Sequence, residues 1–84
     1  MKKYQTKNIS DTDVCIATQM YQQKSSTVND GKYIYDYLSE LTGAPMKVCY
    51  SAMERACDRD YIEYGVNLRT AWLTDKGNEI IKSI

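Results

Sequence analysis

Three cysteines, Cys15, Cys49 and Cys57, carry the most reactive side chains of this 84-residue chain, which contains no histidine. Without histidine, neither a Ser-His-Asp nor a Cys-His nucleophile system can form within one chain. There is no CxxC pair, so the spacing typical of a zinc site is also missing. Cys49 and Cys57 lie about 12 Å apart along one predicted helix, which is farther than a disulfide reaches. Cys15 could meet either of them, but an odd number of thiols favours reduced, buried side chains that pack as small apolar groups.

Glu54 and Asp58 stand one helical turn apart, a spacing at which two carboxyl groups could work as acid and base. Arg55 and Arg59 are their neighbours on the same helix, and this mixture of charges is typical of a solvated helix face. A chain of this length also leaves little material for a cleft that excludes water. The sequence therefore predicts that the protein is not an enzyme and holds neither a metal nor a cofactor.

The composition is that of one soluble domain, with 43% hydrophobic and 26% charged residues. No apolar run approaches the roughly 18 residues that a membrane span needs, and no leader-like segment follows Met1. We therefore expect a cytoplasmic protein with no membrane partner. Eleven basic residues balance eleven acidic ones, so the net charge gives no signal for an anionic partner. The distribution is uneven, because residues 1–7 contain three lysines and no acid, while residues 8–43 contain two bases and five acids.

The N-terminal residues are predicted to lie outside the folded domain that positions the candidate functional side chains. Residues 1–9 are polar, basic and without period, which predicts a flexible arm in front of a single domain at 10–84. Ser10 or Asp11 can cap the first helix, since both side chains accept hydrogen bonds from the free N–H groups of a first turn. The apolar spacing carries this helix to about Gln23.

Two further helices are predicted in the middle of the chain. Asp30 can cap the second, which has the clearest i, i+3, i+4, i+7 apolar pattern and continues to about Leu41. Gly43 suits the left-handed position that ends a helix. Pro45 then fits the first turn of the third helix, where its missing N–H costs nothing, and this helix continues to Arg59.

The last part of the chain predicts a hairpin and a short helix. Asp60 can end the third helix in the left-handed region. Two segments rich in aromatic and β-branched residues, 61–64 and 70–73, are predicted strands. Thr74 caps a final helix that ends at about Lys82. The apolar periodicity places the following residues in the core: Val14, Ala17, Met20, Ile34, Leu38, Leu41, Cys49, Ala52, Met53, Ala56, Ile62, Trp72, Leu73 and Ile80.

This order of elements over residues 30–77 resembles the winged helix-turn-helix superfamily. The stretches that carry the resemblance are 34–38, 42–45, 48–59, 61–65 and 72–77, of which the last reads Trp-Leu-Thr-Asp-Lys-Gly. Asp60 stands where members of the family often have glycine before the first wing strand. The resemblance implies an α+β fold, mostly α: a winged helix-turn-helix with a three-helix core, a two- or three-stranded wing and a short C-terminal helix.

The resemblance also implies a small DNA-binding transcriptional regulator whose partner is double-stranded DNA. Helix 45–59 would lie in the major groove and wing 65–70 on the backbone or in the minor groove. A homodimer is expected, because one module makes few contacts. Arg69 is the strongest single candidate, since it lies near a loop tip with no acid within five residues. The DNA-contact candidates are Lys47, Tyr50, Ser51 and Arg55 on the helix, Asn67 and Arg69 in the wing, and Lys2, Lys3 and Lys7 in the arm.

The aromatic residues leave a second function open. The chain has eight tyrosines and no phenylalanine. Tyrosines at inward positions can replace phenylalanine in a core, whereas exposed ones suit a protein interface as well as they suit DNA. The alternative is therefore a winged-helix protein–protein interaction module that uses a tyrosine-rich surface and does not bind DNA. The spacing predicts Tyr37, Tyr61 and Trp72 to face inward, and Tyr33, Tyr35 and Tyr50 to be exposed.

Overall fold

The computed structural model describes residues 9–25 and 31–84, which form four helices and one small antiparallel sheet. This confirms an α+β fold that is mostly α. Asp30 and the lysines at positions 2, 3 and 7 lie outside the described residues. The helices are α1 (Asp11–Ser25), α2 (Ile34–Thr42), α3 (Met46–Asp58) and α4 (Asp75–Lys82), and the strands are β1 (Ile62–Glu63) and β2 (Trp72–Leu73).

The start of α1 follows the sequence prediction. The Ser10 hydroxyl accepts a hydrogen bond from the Asp13 N–H at 3.1 Å, and the Asp13 carboxylate accepts one from the Ser10 N–H at 3.4 Å. This reciprocal pair satisfies donors that the first turn leaves without helical partners. Ile9, which the sequence assigned to the arm, is instead buried in the hydrophobic core. The packed part of the chain therefore includes residue 9.

The second helix begins later than predicted and ends as predicted. Residues 31–33 are not helical, and Gly31 has a left-handed φ of 81°. Helix α2 starts at Ile34, where the Asp36 carboxylate accepts a hydrogen bond from the Tyr33 N–H at 2.7 Å. Its C-terminal cap is Gly43, whose φ of 78° and N–H bond to the Ser39 carbonyl confirm the predicted glycine stop.

Side-chain hydrogen bonds fix the three-residue turn between α2 and α3. The Ser39 hydroxyl donates to the Ala44 carbonyl at 2.7 Å, and the Thr42 hydroxyl accepts from the Ala44 N–H at 3.2 Å. Pro45 occupies the cap position, with a φ of −65°, rather than the first turn of α3. The turn sets the direction in which α3 leaves α2.

The end of α3 confirms the role predicted for Asp60. This residue has a φ of 70°. Its N–H bonds to the Cys57 carbonyl, and the Tyr61 N–H bonds to the Ala56 carbonyl, both at 3.0 Å. This is the hydrogen-bond pattern of a Schellman motif, with aspartate in place of the usual glycine.

The strands of the hairpin are two residues long, half the predicted length. Ile62 pairs with Leu73 and Glu63 pairs with Trp72. The connecting loop contains a 3-10 turn over Leu68–Thr70, which takes up Thr70, the first residue of the predicted second strand. Helix α4 then begins at the predicted cap, where the Thr74 hydroxyl accepts from the Gly77 N–H at 3.1 Å and donates to the Asp60 carbonyl.

Most of the residues predicted to form the core are buried, but the prediction is wrong for two of them, Leu41 and Trp72, which are exposed. Leu41 is 46% exposed, because it lies in the last turn of α2, where neighbouring elements no longer cover the apolar face. Trp72 is 41% exposed, because adjacent residues in a strand face opposite sides and Ala71 takes the inner position. Tyr37 is buried as predicted, whereas Tyr61, Met20, Leu73 and Ile80 are half-buried. Within the described residues, no helix combines the length and apolar character needed to cross a membrane.

Candidate nucleic-acid interface

Helix α3 is held by one apolar face, which leaves the other face to solvent. Cys49, Ala52, Met53 and Ala56 have no exposed surface, and they pack this helix against α1, α2 and β1. Three of these side chains are small, so the backbone of α3 can approach its neighbours closely. Lys47 lies on the opposite face, Met46 lies at the edge of the buried face, and both are exposed.

The N-terminus of α3 differs from those of the other described helices. Helices α1, α2 and α4 each have at least one acidic residue in the first turn, and α3 has none. Its cap residue, Pro45, makes no side-chain hydrogen bond. The positive end of the helix dipole is therefore not neutralised locally, a condition that favours an anion such as phosphate.

A groove runs between the outer face of α3 and the loop that follows β1. It consists of two adjoining concavities of about 760 and 610 Å³, and Tyr50, Ser51 and Asn67 line both of them. We call this the α3–wing groove. Besides these three residues, the larger concavity is lined by Glu54, Arg55, Cys57, Asp58, Tyr64, Val66 and Leu68, and the smaller by Tyr35, Met46 and Lys47.

The structure brings together four of the predicted contact residues, of which Ser51 is less exposed than predicted. Lys47 and Tyr50 are exposed on α3, and Ser51 and Asn67 are half-buried beside them. All four line the smaller concavity. Arg69 lies in the 3-10 turn of the wing, but its side chain is outside what the structure describes, as are Lys2 and Lys3.

The expected outward position of Arg55 needs correction. Arg55 lines the groove, but it is half-buried, and its Nη2 donates a hydrogen bond to the Ile9 carbonyl at 3.1 Å. The sequence predicted a side chain free to contact bases, whereas here it ties the first described residue to α3. The reason is the burial of Ile9, which brings a backbone carbonyl next to this helix.

The groove contains charges of both signs, and, among the described residues, only its N-terminal end along α3 lacks acidic side chains. Lys47 is near the N-terminal end, and no described residue forms an ion pair with it. Glu54 and Asp58 line the groove toward the C-terminal end, together with the half-buried Arg55. Arg59 does not offset them, because its guanidinium is 2.9 Å from the Asp11 carboxylate. The N-terminal half of the groove is therefore the part suited to phosphate.

Three tyrosine rings form a row whose last two members, Tyr35 and Tyr50, line the smaller concavity. The ring centroids of Tyr33 and Tyr35 are 5.9 Å apart, and those of Tyr35 and Tyr50 are 6.3 Å apart in an edge-on arrangement. Tyr33 and Tyr35 were predicted to be exposed but are half-buried, whereas Tyr50 is exposed as predicted. The sequence predicts Tyr35 only as part of a tyrosine-rich protein interface, and it does not predict Met46 as part of a site. Met46 could have been found from its i, i+4 spacing to Tyr50, which places the two side chains on one side of the helix.

All three cysteines are free thiols. Among the described residues, no group of three or more cysteine or acidic side chains is arranged to hold a metal. Burial raises the pKa of each thiol, and for Cys15 burial and the charge of Asp11 raise the pKa from 9.0 to about 11. The thiols are therefore protonated at neutral pH, which makes them poor nucleophiles.

The raised pKa of Cys15 predicts a loss of stability in alkaline solution. Because the folded state favours the neutral thiol, its contribution is complete below pH 9 and is lost as the pH rises toward and through about 11. We expect this thiol to add at most about 1.4 kcal/mol per pH unit to the fall in unfolding free energy. Urea denaturation of the protein and of Cys15→Ala between pH 8 and 11 checks this. Parallel curves for the two proteins would contradict it.

Comparison of the chain with models of protein families, with curated proteins and with solved structures finds no match. The functional interpretation therefore depends on the order of the elements and on the residues of the α3–wing groove.

Proposed function

We propose that this protein is a small DNA-binding transcriptional regulator of the winged helix-turn-helix type. Helix α3 lies in the major groove of double-stranded DNA, and the loop between β1 and β2 contacts the backbone or the minor groove. The observation that carries the proposal is the meeting of Lys47, Ser51 and Asn67 in one groove beside the acid-free N-terminus of α3.

The arrangement of the elements supports this proposal. Helices α2 and α3 are joined by a tight turn at residues 43–45, and a two-stranded hairpin follows α3 directly. In such a motif the second helix presents its outer face to the base edges. The outer face of α3 is available for this purpose, since its exposed residues include Lys47 and Tyr50.

Each groove residue has a chemical role in the proposed complex. Lys47 and the first-turn N–H groups of α3 bind phosphate. Ser51 can donate and accept hydrogen bonds at base edges or at the sugar-phosphate backbone. The Asn67 side-chain NH2 group can donate them, whereas its Oδ1 is buried. Arg69 is proposed to add a phosphate contact from the wing. A second copy of the chain would read a second half-site, because one α3 covers only a few base pairs.

The salt dependence of binding tests the role of Lys47. We expect Lys47→Ala to reduce the slope of log affinity against log salt by about 0.9, the value for one phosphate contact in duplex DNA. Fluorescence anisotropy with a labelled duplex at several salt concentrations measures this slope. Lys82→Ala is the matched control, since Lys82 is an exposed lysine on α4 with no part in the groove. Equal slopes for both variants would remove Lys47 from the interface.

The row of tyrosines favours the second candidate, a module that binds another protein. Tyr33, Tyr35 and Tyr50 form a continuous aromatic border, and large aromatic side chains dominate the energy of many protein interfaces. Under this alternative, Tyr50→Ala abolishes partner binding while Lys47→Ala has little effect on it. Under the DNA-binding proposal, Lys47→Ala instead weakens binding to DNA and reduces its salt dependence. Comparing the two variants therefore distinguishes the two functions.

A further inference from the structure

Met46 and Tyr50 form an exposed apolar strip along one edge of the buried face of α3. They are four residues apart and therefore lie on one side of the helix. Their exposed fractions are 44% and 39%, high for large apolar side chains on an ordered helix. Tyr35 contacts the Tyr50 ring edge-on, which restricts that ring before any ligand arrives. We call Met46 and Tyr50 the apolar strip.

The surroundings of the apolar strip indicate what it contacts. Lys47 lies beside it, and the acid-free N-terminus of α3 adds partial positive charge at the same end. An occupant that matches both features presents small apolar groups flanked by negative charges. The major groove of DNA has this character where thymine occurs, because the thymine 5-methyl group projects into a groove bordered by phosphates.

We propose that the apolar strip contacts thymine 5-methyl groups, so that the preferred sites contain T·A pairs where the first two turns of α3 lie. This inference rests on the proposed DNA-binding function. It names a base that the polar residues of the groove do not specify, since serine and asparagine can bond to several base edges. The apolar strip adds a contact that distinguishes thymine from cytosine by shape.

Replacing thymine with uracil tests the inference, because uracil lacks only the 5-methyl group and pairs in the same way. A preferred duplex is first selected from a random pool with the unmodified protein, and its thymines are then replaced by uracil one at a time. We expect about a fourfold loss of affinity for each methyl group that the strip buries. The Met46→Ala variant should bind the thymine and uracil duplexes equally well at one or more of these positions.

Two matched variants complete the experiment. Lys47→Ala should weaken binding to thymine and uracil duplexes equally, since it removes a phosphate contact. Leu41→Ala changes an exposed apolar residue outside the groove and should leave the discrimination intact. Thermal unfolding of Met46→Ala checks that the fold is retained, as the exposure of Met46 predicts.

The possible outcomes distinguish this inference from the proposed function. If duplexes bind and every uracil replacement is neutral, the methyl contact is wrong while DNA binding stands. If Met46→Ala and Tyr50→Ala both still distinguish thymine from uracil, the methyl group is read elsewhere and the inference is wrong. If no duplex binds, the proposed function itself fails.

Discussion

Replacing Leu38 with alanine should lower the free energy of unfolding by about 2–5 kcal/mol. Leu38 is fully buried in α2 and belongs to the same core cluster as Val14 and Met53. The substitution removes apolar contacts from three packed helices and leaves a cavity that the small core cannot close completely. Urea denaturation followed by circular dichroism measures the loss.

Leu41 provides a control for Leu38 on the same helix. The two residues are one turn apart and undergo the same chemical change to alanine, but Leu41 is 46% exposed. We expect Leu41→Ala to cost about 1 kcal/mol, well below the loss for Leu38, because nearly half of the residue stays in water and its truncation leaves no enclosed cavity. Equal losses for the two variants would show that the burial assigned to α2 is wrong.

A methyl group at Gly77 should destabilise the protein by about 3 kcal/mol or more. A Cβ atom built at this position would lie 2.2 Å from the Tyr61 carbonyl oxygen and 3.0 Å from the Leu73 Cδ2 atom. The leucine side chain can move, but the carbonyl cannot, because it accepts a hydrogen bond from the Thr74 N–H at the end of β2. Helix α4 would have to shift away from the hairpin, and the gain in helix propensity is only about 1 kcal/mol.

Gly65 is the matched control for this substitution. A Cβ atom there would be 3.7 Å from the nearest atom of the Trp72 ring, an ordinary contact. Gly65→Ala should therefore change the melting temperature little, while Gly77→Ala lowers it strongly. Thermal unfolding of the two variants side by side measures the difference, and a Gly77→Ala protein as stable as the original would contradict the close packing of α4 on the hairpin.

The elements that sequence predicts best are those fixed by local chemistry. Ser10, Gly43, Asp60 and Thr74 each mark a helix boundary through their own backbone or side-chain geometry, and a helix begins or ends at or next to each of them. Whether a residue at the edge of the core is buried depends on neighbours that are distant in the sequence. Trp72 is apolar and lies in a strand, but only the register of the hairpin decides that it faces outward.

The candidate site was predictable to a similar extent. The positions of Lys47 and Ser51 follow from the periodicity of α3, and that of Asn67 follows from the hairpin that comes next. The hydrogen bond of Arg55 to Ile9 joins residues 46 positions apart, and no local pattern indicates such a partner. The contact between Tyr35 and Tyr50 likewise depends on how α2 crosses α3.

The most direct test of DNA binding is a mobility-shift titration with a pool of genomic duplexes. Protein at micromolar concentration is mixed with the pool at low salt, where the phosphate contribution is strongest, and the titration is repeated at higher salt. We predict a shifted complex. The logarithm of its affinity falls linearly with the logarithm of the salt concentration, and the bound DNA is enriched in particular sequences. Failure of the protein to shift any duplex at low salt would contradict the proposed function.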